Sequence, residues 1–363
     1  MKFDPEAPLG KDFKKAVQAS VDRFIATQAD LLAGAGRHLD LIWEEAHRFT
    51  QGGKHIRPGF CYWGFVAAAP QDDETPKKIM DVAASLDLLH VSALMHDDFI
   101  DSSDTRRGGP SAHRAFEAHH VQAGWLGDSA HFGAGASILL GDLFFAWSVS
   151  MVEQSGLSAE RLKRARPYLD SVRSEVLAGQ YLDLLHQATP SKPEDLLRDA
   201  ELIMDFKTAK YTVARPAQIG AALAMASDVT LEGLGRFGTN VGRAFQMRDD
   251  LLGMFGDPKV TGKPAGDDLR EGKKTVLVGY AMRDASTKDA AKLAAMLGDP
   301  SLTKTDLAEA RRILTESGAV ECTEKAIEVQ AAKGMRTLHR LDLSEQGTFA
   351  LMSLAHAAVE RVA

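Results

Sequence analysis

Only two cysteines, Cys61 and Cys322, occur in 363 residues. They lie far apart, which excludes a disulfide scaffold and a cysteine-held metal and leaves two reduced thiols. A surplus of positive charge is also missing. Lys and Arg total 43 against 50 Asp and Glu, a net charge of −7. That balance argues against nucleic acid as the main partner, because such binding depends on neutralising phosphates. No uninterrupted stretch of about 18 apolar residues occurs, so no membrane span is expected. The N-terminus, Met1-Lys2-Phe3-Asp4-Pro5-Glu6, carries charge and proline where a signal peptide needs an apolar run. A cytoplasmic protein is expected. No glycine-rich loop ends in Lys-Ser or Lys-Thr, so a P-loop nucleotide site is not supported. What remains, 45% hydrophobic and 26% charged residues, is the composition of a folded globular chain.

The length suits about two average domains or one large helical one. Residues 12–34 place Phe13, Val17, Val21, Phe24 and Leu31 on one helical stripe. Segments 79–101, 134–153, 158–187, 195–225, 229–255 and 304–340 share that period, and no sustained two-residue alternation suggests a sheet. Breakers fall between them: Pro70 to Pro76, Gly108-Gly109-Pro110, Thr189 to Pro193, and Asp257-Pro258 to Gly266. The expectation is an all-α, single-domain helical bundle over 1–363, irregular at 1–12, whose inner face can host a site.

Two acidic motifs stand out. In His96-Asp97-Asp98-Phe99-Ile100-Asp101, Asp97 and Asp101 share a helix face. Leu86, His90, Ala93, Asp97 and Asp101 continue one stripe of a largely apolar helix, where carboxylates are costly unless paired or metal-bound. The second motif, Phe245-Gln246-Met247-Arg248-Asp249-Asp250, lies 152 positions after Asp97 and again ends an apolar helix with an Asp pair. Acidic helix ends oppose the macrodipole. Two of them suggest a cation cluster shared between facing helices, and hard carboxylate oxygens suit Mg²⁺. Gly235, Gly238 and Gly242 read as helix-packing positions. Basic residues answer the acidic ones: Lys54 and Arg57 after Gly52-Gly53, Arg106-Arg107 after the first motif, Lys207 and Lys210 within a helical stretch, and Lys263 after the second motif. Together they suit a polyanion chelated by Mg²⁺ and clamped by Arg and Lys.

The ordered set Gly52-Gly53-Lys54-x-x-Arg57-Pro58, Asp97-Asp98-x-x-Asp101 with Arg106-Arg107-Gly108, Gly141-Asp142, Gly179-Gln180, Lys207-Thr208 and Phe245-Gln246 with Asp249-Asp250 resembles the trans-isoprenyl diphosphate synthases, the polyprenyl synthetase family. The resemblance spans roughly residues 40–280, and Asp267–Thr275 looks like the family's downstream loop. It implies an isoprenoid synthase-like bundle around a deep central cavity, usually homodimeric. The implied chemistry is loss of pyrophosphate from an allylic diphosphate with help from Mg²⁺, attack on the allylic cation by isopentenyl diphosphate, and proton loss. By resemblance, Asp97, Asp101 and Asp249 would hold Mg²⁺, with Asp98 and Asp250 beside them or sharing ligation. Arg106, Lys207 and Lys263 would clamp the allylic diphosphate. Lys54, Arg57, His90 and Arg107 would bind isopentenyl diphosphate, and Thr208 and Gln246 would face the reacting carbons.

The chain departs from the common pattern at Gly253, where many members carry a third Asp, and at His55, where Arg is common. Small residues below the first motif, Ser92 and Ala93, argue against a stop at ten or fifteen carbons. Deeper bulk at Leu89 and Leu86, or in Phe144, Phe145 and Trp147, favours about twenty, so geranylgeranyl diphosphate is the expected product and longer chains the alternative. A class I terpene cyclase should lack the Lys54/Arg57 and Arg107 cations. A non-catalytic partner subunit should lack the acidic motifs. His113, His119, His120 and His131 read as surface or loop residues, and Gly124–Gly135 lacks the preceding strand of a dinucleotide loop. Gln180 and Asp183 read either as site neighbours or as a buried polar pair.

Overall fold

The computed structural model describes residues 3–69, 75–190, 192–256 and 266–360. Helices succeed one another as α1 (Lys11–Leu31), a 3₁₀ turn (Ala33–Leu39), α2 (Asp40–Thr50), α3 (Ile56–Ala68), α4 (Thr75–Ile100), α5 (Ala112–Gln122), α6 (Ser129–Glu153), α7 (Ala159–Ala188) and α8 (Pro193–Met204). A π-helical segment, Asp205–Ala214, leads into α9 (Arg215–Leu223). Then come α10 (Asp228–Phe255), α11 (Asp267–Arg270), α12 (Val276–Asp284), α13 (Thr287–Met296), α14 (Lys304–Glu316), α15 (Ala319–Leu338) and α16 (Glu345–Val359). The all-α expectation holds. Among the described residues the strands are two two-residue pieces, Thr105–Arg106 paired antiparallel with Gly109–Pro110.

The helices begin and end where local chemistry directs. The Asp128 and Thr275 side chains cap α6 and α12, and Thr303 with Asp306 forms a capping box on α14. Gly318, at φ 78°, divides the expected 304–340 helix into α14 and α15. A left-handed residue ends a helix because it breaks the carbonyl ladder, and glycine adopts it without strain. The stripe of α1 is buried at Phe13, Val17, Val21 and Phe24, but Leu31, the last residue of the helix, is 75% exposed.

The chain gathers into two compact units. Unit 1 comprises Met1–Leu169, Pro216–Leu231 and Asp342–Leu354; unit 2 comprises Asp170–Arg215, Glu232–Leu341 and Ala355–Ala363. Within unit 1, α4 packs against α1, α2, α3, α5 and α6. Its residues are buried almost all round, from Ile79 and Val82 to Leu88, Val91, Met95 and Asp98. Close approaches complete this unit: a Cβ on Gly64 would lie 2.5 Å from the Ala217 carbonyl, and Ser344 donates to the carbonyls of Val66 and Ala67. Unit 2 has its own core, in which Ala244, Met247, Leu251 and Met254 of α10 pack among Leu307, Ile313, Leu314 and Ile327. Helix α7 begins in unit 1 and continues into unit 2; Pro167 lies in its unit 1 part, where the missing N–H removes one bond from the helix.

Lys78–Ile100 within α4, and α6 (Ser129–Glu153), have by length and composition alone what a membrane span needs. Two thirds of the first helix's apolar window is buried inside the protein, so core packing accounts for that composition.

Candidate active site

The first motif sits on a face of α4 that its neighbours leave partly open. Asp87, His90, Ala93, Leu94, Asp97 and Asp101 are half-buried at steps of three and four, while most of the helix is covered; at its C-terminal end Phe99 and Ile100 are exposed as well. The carboxylates expected on a buried stripe thus lie on a partly open one. Asp98, one position round the helix, is fully buried. The chain then turns sharply, with Ser102 and Arg107 at φ 54° and Gly108 at 78°. This reversal swings Arg106 back onto Asp98, where Nε donates to Oδ1 at 2.7 Å and Nη2 to the same oxygen. Arg107 Nη1 donates to the Phe49 carbonyl at 2.9 Å and the Gln51 carbonyl at 3.3 Å. The hairpin is thereby tied to the loop that carries Lys54 and Arg57.

That loop needs its glycines. Gly52 and Gly53 lie at φ 73° and 110°, so the backbone can double back before α3. Lys54 is exposed and Arg57 half-buried. His55 is buried, with Nδ1 2.5 Å from Asp87 Oδ2. Burial, and then the charges of Arg57, Arg107 and Arg106, hold the His90 imidazole well below its ordinary range. Four residues expected to bind diphosphate therefore act on one another within unit 1, and the surroundings of His90 are strongly electropositive. Gly141 of α6 explains its own motif position: a Cβ there would fall on the His96 ring.

In unit 2, the expected 195–225 helix widens to π geometry across Asp205–Ala214, the stretch holding Lys207 and Thr208. Such insertions cluster at functional sites because the extra residue re-aims side chains. Forked ion pairs bracket it: Arg243 with Asp205, both bonds 2.6 Å, and Arg215 with Glu175, at 2.7 and 2.6 Å. Glycines let the backbones meet. A Cβ on Gly242 would lie 2.5 Å from Ala209 Cα, and one on Gly179 would fall on the Lys207 backbone nitrogen. The packing role read for Gly238 and Gly242 is correct. Lys207 Nζ donates to buried Asp183 Oδ2 at 2.6 Å, which makes Asp183 a neighbour of the site.

On α10, Gln246 Nε2 donates to Asp250 Oδ1 at 2.8 Å. Asp250 is buried, and its carboxyl is pushed well above the usual carboxylate range, first by burial and then by Asp268. Asp268 was missed by the sequence reading. A Cβ on Gly253 would lie only 2.9 Å from Asp268 Oδ2. A carboxylate supplied from α11 thus stands beside the place where other members carry their third Asp. The readable signal was the pairing of Gly253 with the Asp267-Asp268 doublet. Lys263 lies outside the described residues.

Among the described residues no three His, Cys, Asp or Glu side chains gather closely enough to hold a metal ion by themselves. The donor set still fits Mg²⁺, which takes one or two carboxylates and completes its shell with water and substrate phosphates. Repulsion of Asp250 by Asp268 and Asp249 is the electrostatic demand that such a cation relieves. The histidines set aside earlier need one correction: His113 and His120 are buried on α5, and His120 Nε2 lies 3.1 Å from the Leu126 carbonyl. Packing, rather than a surface position, accounts for them. Both cysteines are free thiols.

The sequence profile of the polyprenyl synthetases matches residues 41–314. The chain belongs to that family. Polyprenyl synthetases are trans-prenyltransferases that use isopentenyl diphosphate and an allylic diphosphate and depend on Mg²⁺. The chain is 34% identical over 342 residues to the geranylgeranyl diphosphate synthase of Mycobacterium tuberculosis, covering 90% of this chain and 89% of that protein. It is 32% identical over 343 residues to the geranylfarnesyl diphosphate synthase of Aeropyrum pernix, covering 93% and 97%. A solved structure, geranylgeranyl pyrophosphate synthase of Corynebacterium glutamicum complexed with isoprenyl diphosphate and magnesium, superposes with a TM-score of 0.90 at 38% identity, covering 99% of this chain and all of that one.

Proposed function

We propose that this polyprenyl synthetase acts as a single enzymatic domain that makes geranylgeranyl diphosphate. The observation that carries the reading is that the charges of Arg57, Arg107 and Arg106 all act on His90, on the same unit as the Asp97/Asp101 face. Lys54, Arg57, His90 and Arg107 bind isopentenyl diphosphate. Arg106, Lys207 and Lys263 clamp the allylic diphosphate, with Asp98 orienting Arg106 and Asp183 orienting Lys207. Asp97, Asp101 and Asp249 hold Mg²⁺, which neutralises charge on the departing pyrophosphate. Thr208 and Gln246 direct their dipoles toward the allylic cation, and Asp250 fixes Gln246. Preorganised donors of this kind lower the barrier most where water is excluded.

Buried Ser92, with Leu89 and Leu86 buried deeper on α4, supports a twenty-carbon limit, as do the names of two of the relatives. Phe144 and Trp147 are covered, and Trp147 stacks on Trp43 at 5.8 Å, which supports the plain-core reading of that aromatic run. Free thiols support a cytosolic location. A homodimer is supported by apolar side chains left exposed on α5, α6 and the turn between them: Val121, Trp125, Leu126, Ile138 and Leu139. The apolar stripe of α1, by contrast, lies in the core.

A product assay tests the reading. Purified protein receives isopentenyl diphosphate, Mg²⁺ and dimethylallyl, geranyl or farnesyl diphosphate, and products are sized by chromatography. A twenty-carbon main product is expected. Longer products would replace the chain length and keep the chemistry. No elongation with any starter would overturn the reading in favour of a partner subunit.

A further inference from the structure

Helices α14, α15 and α16 carry none of the site residues described above, yet they grip the end of α10 that carries Asp249. Arg248 immediately precedes that aspartate. Its Nη1 and Nη2 donate to Glu324 Oε1 and Oε2 of α15, each at 2.6 Å, and its Nε donates to the Val359 carbonyl at the end of α16, at 3.1 Å. Arg311 of α14 donates to the Met254 carbonyl, one residue before α10 ends, at 2.8 Å. Beneath these bonds Met247, Leu251 and Met254 are buried against Ile313, Leu314 and Ile327.

Arg248 is the sole cation between Ala244 and Phe255. A cation beside two carboxylates would be expected to pair with them. Its fork is instead engaged by Glu324, a bidentate geometry that fixes direction as well as distance. Successive residues of an α-helix point about 100° apart. Fixing the direction of Arg248 therefore fixes the rotation of α10's last turns.

We infer that Arg248 is a positioning residue. Its bonds to Glu324 and Val359 set the angle at which Asp249 meets the cation, and the C-terminal helices serve as the support for the second acidic motif. This rests on the reading that Asp249 holds Mg²⁺.

The test uses the full chain with Glu324→Gln, Arg248→Lys, and the charge-swapped Arg248→Glu/Glu324→Arg pair. Mg²⁺ half-saturation, kcat and KM for isopentenyl diphosphate are measured. Separately and without turnover, calorimetry follows Mg²⁺ binding in the presence of inorganic pyrophosphate. Both single variants should weaken Mg²⁺ binding about tenfold, the size typical of residues that orient a metal's ligands. KM for isopentenyl diphosphate should stay within twofold, and the swapped pair should recover most of the loss. A lowered Tm with unchanged Mg²⁺ binding in the single variants would overturn the inference and leave a merely stabilising pair. If the swapped pair fails to fold, the single variants decide. Asp249→Asn separates the two readings: it should weaken Mg²⁺ binding more than either single variant, and if binding is unchanged, the assignment of Asp249 to the metal is itself wrong.

Discussion

Asp97 and Asp98 are neighbours in sequence with opposite surroundings. Asp98 is wholly buried against the Arg106 fork, whereas Asp97 is half-open on the site face of α4. Removing one partner of a buried ion pair strands the other charge and destabilises by about 3 kcal/mol. Asp98→Asn should therefore lower chemical-denaturation stability by about that amount, while Asp97→Asn should leave it within 0.5 kcal/mol and abolish Mg²⁺-dependent turnover. Equal stability losses would refute the division of roles. His90 carries a pH signature. Its imidazole titrates well below the ordinary range because of burial and three arginines, so the native state refuses a proton that the unfolded chain accepts near pH 6.5. Stability from this residue is present above that pH and is lost as pH falls toward the lowered native value. His90→Gln should flatten the fall in denaturation midpoint between pH 7 and 5, and should raise KM for isopentenyl diphosphate about tenfold if the imidazole bonds a charged phosphate. An unchanged slope would show that His90 does not carry the effect.

At the scale of elements, what sequence could reveal depended on whether a local rule governed it. The spacing of apolar residues disclosed α4 and α10, because burial repeats every 3.6 residues. It did not disclose which stripe of α4 was open, because that depends on which helices lie against it. The π segment was invisible for a related reason. Residues 205–214 contain no proline or glycine, and the forked pairs and close-packed glycines that flank the widening draw on other helices. Gly179→Ala tests that packing. A methyl there meets the Lys207 backbone, and overpacking of this kind costs about 1–3 kcal/mol. It should also cut kcat by displacing Lys207, and full activity with normal stability would show that the contact is slack. Ser92→Phe belongs here too, since α4 is expected to form the floor beneath the growing chain. Its main product should shorten from twenty carbons, and an unchanged product profile would remove Ser92 from the floor.

Across the whole molecule, both acidic motifs were legible because like charges at helix ends demand an explanation. Asp268 was not, since its role depends on α11 meeting the Gly253 gap, a tertiary coincidence. Nor does periodicity within a segment report that Asp97 and Asp249 belong to different compact units. Association is checked at this scale as well. Leu139, 63% exposed, should matter to a dimer and not to a monomer. Leu139→Arg should halve the mass seen by light scattering if α6 forms the interface, and an unchanged dimer would place the interface elsewhere.

The interleaving of the units also bears on how the chain is made. Unit 1 draws its last piece from Asp342–Leu354, whose Ser344 bonds to the carbonyls of Val66 and Ala67 and whose Gly347 packs against Ala67. A ribosome that has delivered Leu169 must therefore synthesise the whole intervening stretch before this unit can close, a wait on the order of ten to thirty seconds. During that interval the incomplete unit presents core surface to the cell. A nascent chain of this design needs chaperone cover in proportion to the delay, and slow codons after Leu169 would lengthen the exposure without altering a single amino acid.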